Sequence, residues 1–128
     1  MSYSEHHLAR HARLVADALL TDVDGASAIV VATADGFHLA QSGPRSVDPA
    51  RLAAIVSSLA ALGDAASRET GIGTPRCLVV DCSDGRLVVR CVEVQGEALI
   101  VVLLTDRSIL LGLALNSLAK ADQMLNAA

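Results

Sequence analysis

The amino-acid sequence predicts an α+β domain with the element order α-β-β-α-β-β-β-α, and three observations predict it. Asp35-Gly36 and Asp84-Gly85 each sit between short apolar runs of strand length, a hairpin signal because glycine readily takes the positive φ of a tight turn. Three longer stretches repeat apolar residues at helical spacing. The run "ALIVVLLT" (98–105) is apolar at nearly every position, as expected of a strand with both faces covered.

In chain order, Ser2-Tyr3-Ser4-Glu5 has the S-x-x-E spacing of a capping box. Leu8, Ala12, Val15 and Leu19 then mark a helix to about Thr21, ended by the turn formers of "DVDGA" (22–26). "SAIVVAT" (27–33), rich in β-branched residues, and "FHLAQS" (37–42) are the strands of the first hairpin. "GPRSVDP" (43–49) breaks the pattern, with Asp48 as helix N-cap and Pro49 at the first helical position. The middle helix runs to about Glu69, where "TGIGTP" (70–75) stops it. "RCLVVDC" (76–82) and "RLVVRCVEV" (86–94) form the second hairpin, and "QGE" (95–97) turns into the 98–105 strand. From about Ile109, the residues Leu111, Ala114, Leu115, Leu118, Ala121 and Leu125 draw a helical stripe to the C-terminus. No internal repeat, linker or low-complexity segment interrupts this order.

The middle helix has too little polar surface for an ordinary surface helix. Between Arg51 and Asp64 lie twelve residues without a charge. At helical periodicity Leu52, Ile55, Val56, Leu59 and Leu62 share one sector, which is expected to pack on the chain's own sheet. Ala54, Ser58, Ala61 and Ala65 fall on the far side, flanked by Ala53, Ser57 and Ala60. An indifferent solvent face would normally carry Glu, Lys or Arg, whereas small residues let a second helix approach closely.

Composition narrows the function classes. The 128 residues are 52% apolar with only Tyr3 and Phe37 aromatic, so the core must be built from Ala, Val, Leu and Ile. Net charge is −4 and the basic residues are scattered, which argues against nucleic acid as a partner. The longest uncharged runs, 52–63 and 108–119, are too short to span a bilayer, so no membrane insertion is expected. The N-terminus "MSYSEHHLAR" has no apolar signal core, and the expected location is cytoplasmic. Nine arginines against one lysine, with abundant alanine, suggest a GC-rich bacterial genome.

Candidate chemistry is sparse. Cys77, Cys82 and Cys91 are odd in number and form no CxxC pair, so they are expected to be small reduced core residues. As strand residues an odd offset apart, Cys77 and Cys82 would point to opposite faces, an awkward start for a metal cage. His7 and His11 have a metal-compatible spacing but no third ligand nearby in sequence. Asp22-Val23-Asp24-Gly25 resembles the start of a calcium loop but lacks the rest of it, including the glutamate at the twelfth position. Gly71-Ile72-Gly73 follows a helix and precedes Pro75, the wrong place for a dinucleotide loop. His38 has no nucleophile at readable spacing. The only lysine, Lys120, lies in "LAKADQ" with no glycine beside it, so a P-loop is excluded. The expectation is no catalytic residue, no metal, no cofactor and no enzymatic activity.

The pattern resembles the roadblock/LC7 family. The resemblance is carried by "DGASAIVVATADGFHLAQSG" (24–43), the Asp48-capped alanine-rich helix, "VVDCSDGRLVVRCV" (79–92) and "LIVVLLTDRSILLGLALNSLAKA" (99–121). It covers nearly the whole chain, read as one domain over residues 1–128. It implies a five-stranded antiparallel sheet with the first and last helices on one face and the middle helix on the other. It also implies a homodimer through the middle helix and an edge strand, with Ala54, Ser57, Ser58, Ala61 and Ala65 at the interface. The implied function is a non-catalytic regulator or adaptor that binds a Ras-like small GTPase and biases its nucleotide state, with contacts around Arg51, Asp64 and Arg68. The alternatives are a scaffold or motor-complex light-chain subunit and a PAS- or profilin-like ligand sensor. An arginine finger is a competing mechanism, and sequence singles out none of the nine arginines for it.

Overall fold

A computed structural model describes the backbone from Tyr3 to Asn126 and side chains from His6 onward. The elements are α1 (Tyr3–Asp22), β1 (Ala26–Thr33), β2 (His38–Ser42), α2 (Pro49–Thr70), β3 (Cys77–Asp81), β4 (Arg86–Val94), β5 (Glu97–Thr105) and α3 (Leu111–Leu125), in the order expected. The side chains of the expected capping box lie outside the described residues.

Local chemistry accounts for the element ends. Asp48 accepts a hydrogen bond from the Arg51 amide at 3.1 Å, and Pro49 opens α2. Gly71 closes the helix in the left-handed conformation, its amide bonding back to the Arg68 carbonyl. Gln95 and Gly96 both have positive φ, 52° and 81°, the geometry of a two-residue type I′ hairpin turn joining β4 to β5. Helix α3 starts without a side-chain cap on Leu110. Instead Asp106 organises the preceding loop, accepting from both the amide and the hydroxyl of Ser108, which holds its carboxyl below the usual range.

The five strands form one antiparallel sheet in the order β2-β1-β5-β4-β3. Strand β5 is central, and its side chains alternate between two cores. Leu99, Val101 and Leu103 point into the core shared with α1 and α3, beside Ile29, Val31, Val88, Leu19 and Leu118. Ile100 and Val102 point to the other face, where Val30, Val89 and Val56 of α2 meet them. Polar bonds tie loops to this frame: Arg86 donates to the Ile109 carbonyl at 3.0 Å, and Arg107 reaches Asp81 at 2.8 Å. Arg90 bonds Asp122 of α3 at 2.7 Å. At Gly43, φ is 119° and an added Cβ would stand 2.5 Å from the Ser27 carbonyl oxygen, so only glycine lets the chain leave β2 there.

Two substitutions follow. Leu118 is fully buried between α3 and the sheet, and Leu118→Ala should destabilise the fold by about 2–5 kcal/mol in urea titration. Gly43→Ala should lower the unfolding midpoint as well, through strain and a backbone clash. An unchanged midpoint for either would contradict the packing described.

Candidate functional site

The candidate site is a surface formed by the outer face of α2 and the edge strand β3. Within α2 only Ala53 and Val56 are fully buried, with Leu52, Leu59 and Ala60 half-buried around them. The helix is therefore turned about a quarter-turn from the orientation expected, because small residues, not large ones, sit nearest the sheet. Gly63 shows why: an added Cβ would stand 2.8 Å from Leu78 on β3, so the glycine permits close approach. This overturns the expectation that Ile55 and Leu62 pack inward. They are 57% and 68% exposed.

The rotation leaves Arg51, Ile55, Ser58, Leu62 and Ala65 along one outward stripe, with Ala54 and Ala61 exposed beside it. Ser57 is the exception among the expected interface residues. It is half-buried and its hydroxyl donates to the Ala34 carbonyl of its own chain. The structure does not gather the three charged candidates into one cluster. Asp64 and Arg68 form an i,i+4 ion pair at 2.8 Å, whereas Arg51 lies about 20 Å away along the helix axis. That pair is largely solvated and contributes a few tenths of a kcal/mol at most.

Sequence reasoning had no means of choosing the edge strand. The sheet has two edges: β2 packs under α1, whereas β3 is covered only at its start, where Leu78 meets α2, and its later residues Val79 and Val80 are exposed. Exposed apolar side chains on an unpaired strand offer backbone and side-chain groups to another chain. Between the C-terminal half of α2 and β4 a cleft of about 530 Å³ opens, lined by Leu78, Val89, Asp64, Arg68 and Cys91 among others. Helix α2 is also long and apolar enough, by length and composition, to cross a membrane, although its uncharged run alone is not. It lies across the sheet, and what its outer face lacks is cover.

The cysteines are not core residues. Cys91 and Cys82 are exposed and Cys77 is half-buried, all three as free thiols. Cys82 lies outside β3, and Cys91 points to the α2 face where the helix does not reach. His7 is exposed, while His11 Nε2 lies 2.8 Å from the Met124 carbonyl and links α1 to α3. Among the described residues no three His, Cys, Asp or Glu side chains converge on a metal-binding point.

The sequence profile of the roadblock/LC7 domain family matches residues 14–104, and the chain belongs to that family. The fold is similar to Myxococcus xanthus MglB, with a TM-score of 0.81 at 19% identity over 99% of this chain and 91% of that one. It is similar to the gliding protein MglB of Thermus thermophilus, with a TM-score of 0.78 at 22% identity over 99% of this chain and 92% of that one. Acanthamoeba castellanii profilin IB shares the architecture more loosely, with a TM-score of 0.61 at 17% identity over 88% of this chain and 95% of that one. At these identities the likeness is one of fold. No curated protein matches the chain in sequence.

The thiol at the cleft gives a pH prediction. Partial burial raises the Cys91 pKa above its ordinary value, with Cys77 and Asp64 adding to the effect. The folded state therefore retains the proton, and stability drawn from it is lost as pH rises past about 8.5. Peptide mapping of alkylation against pH should place the Cys91 half-point above that of free cysteine. A half-point at or below that of free cysteine would contradict the assigned environment.

Proposed function

We propose that this roadblock/LC7 domain is a dimeric, non-catalytic regulator that binds a Ras-like small GTPase and biases its nucleotide state. The observation that carries the reading is the uncovered apolar side chains of α2, Ile55 and Leu62, together with the unpaired edge strand β3. In a two-fold symmetric pair every contact counts twice. Covering Ile55 and Leu62 gains about 1–2 kcal/mol per side chain, and strand pairing along β3 adds backbone hydrogen bonds. That total is comparable with the cost of association, so helix and strand are needed together. The tetrameric arrangement described for MglB supports self-association as a property of this fold.

Family membership supports the GTPase as partner, and the lack of a P-loop assigns any bound GTP to the other chain. With no acid–base or nucleophile constellation, the dimer acts by shape. It favours one arrangement of the GTPase switch segments only to the extent that it binds that arrangement more tightly. Such a regulator works in the cytoplasm, alongside its GTPase.

Two experiments test this reading. Ala61→Arg places a long cation on the exposed flank of α2 and should convert the dimer to a folded monomer in light scattering. A wild type that is already monomeric at tens of micromolar would end the dimer reading. GTPases from the same genome, loaded with GDP or a GTP analogue, should bind with affinities that differ between the two forms by about fivefold or more. Equal affinity for both forms would favour a scaffold or light-chain role, and no binding would remove the GTPase from the account.

A further inference from the structure

A second surface lies away from α2 and β3 and goes beyond the reading above. A groove of about 520 Å³ runs between the α1–β1 turn and the outer side of α3. One half is apolar: Leu110 and Leu113 line it while remaining 70% and 59% exposed. The other half is polar, with Asp22, Asp24, Ser117 and Lys120. Ser117 has only 8% of its surface exposed, yet among the described residues its hydroxyl makes no hydrogen bond. The hydroxyl is not sealed from water, so it is open to a partner that enters the groove. Asp24 has no ion pair among the described residues, and Asp22 has only Lys120 at 3.8 Å, with both groups half exposed. The groove fits a basic group beside an apolar one.

The chain presents that combination on its own surface. Arg10, Arg13 and Leu14 are exposed on the outer face of α1, at spacings that place them side by side. Neither arginine has an ion pair among the described residues. Arg10 precedes Asp22 by about 18 Å of helix, so it cannot serve the groove of its own chain. The geometry points to a head-to-tail contact between copies of this chain. Leu14 of one copy enters beside Leu110 and Leu113 of the next, while Arg10 and Arg13 face Asp22 and Asp24. A guanidinium N–H there supplies the donor that the Ser117 oxygen lacks. The contact is heterologous, so it joins α2-linked pairs into larger assemblies, rings or filaments according to the rotation between copies. Its small size and exposed charges make it weak, with a dissociation constant on the order of 10–100 µM, and sensitive to salt.

Sedimentation velocity on the full chain tests this. The wild type should show a concentration-dependent step above its basic unit at low salt, lost at about 0.5 M salt, where the screening length falls to a few ångströms. Arg10→Glu/Arg13→Glu and Asp22→Lys/Asp24→Lys should each weaken that step by about tenfold or more. An equimolar mixture of the two should restore it, because each reversed patch now complements the other. Lysine at the C-terminal end of α1 suits the helix dipole, so the fold should persist, and circular dichroism checks it. Leu113→Lys, at an exposed position, gives an independent block of the apolar half. The step should also survive in Ala61→Arg, which separates it from the α2 contact. No step in the wild type, no loss in the variants, or no recovery in the mixture would each overturn the proposal. Loss of GTPase binding in Asp22→Lys/Asp24→Lys, with no step in the wild type, would overturn it in favour of the GTPase as occupant.

Discussion

The structure depends on the burial of β5. Five consecutive residues, Leu99 to Leu103, are each essentially inaccessible to water. A strand with no polar side can be satisfied only in the interior of a sheet, with neighbours on both edges and a layer on each face. Antiparallel β1 and β4 supply the neighbours, and both come from hairpins whose glycine-containing turns are local in sequence. The helices follow from the same requirement. Leu99, Val101 and Leu103 need one apolar layer, and Ile100 and Val102 need another.

The two layers are unequal, and the candidate site arises from that inequality. A five-stranded sheet is about 24 Å wide, while a helix with its side chains is about 10–12 Å across. Two helices, α1 and α3, can cover one face, but α2 alone cannot cover the other. It crosses β1 and β5, reaches β3 only at Leu78, and leaves part of β4 and the rest of β3 open, which is where the cleft, Cys91 and Val80 lie. A second helix laid beside α2 would complete the layer. The outer side of α2 carries Ile55 and Leu62 among Ala and Ser, the composition such a helix would meet.

Much of this was legible in the sequence, for identifiable reasons. Element order, turn positions and the Asp48 and Gly71 helix ends rest on local chemistry, so they could be read residue by residue. The orientation of α2 could not. Its large residues suggested the inward face, but the helix approaches the sheet through Ala53, Val56 and Gly63 and leaves Ile55 and Leu62 outside. Gly63, an unfavourable residue in mid-helix, was the available signal of close approach. The cysteines were misplaced for a related reason. Cys91 alternates correctly onto a sheet face, but whether that face is covered is a property of the tertiary arrangement. The choice of β3 over β2 as the open edge likewise depends on where α1 lies.

In the proposed regulator, the arginines set how far electrostatics can assist shape. An arginine offered to a bound phosphate must be free to leave its partners. Arg86, Arg90 and Arg107 are tied down: Arg86 and Arg107 hold Asp81 and the loops beside it, and Arg90 links β4 to Asp122 of α3. Arg68 is tied only to Asp64 in an exposed pair of small worth, and Arg51 uses its backbone amide, not its guanidinium, to cap α2. Arg10 and Arg13 are also unpaired among the described residues but lie on α1, so Arg51 and Arg68 are redirectable cations on the same helix as the apolar stripe. A partner that covered this surface would meet both groups together, with apolar contact fixing its position and mobile charge biasing which nucleotide state fits.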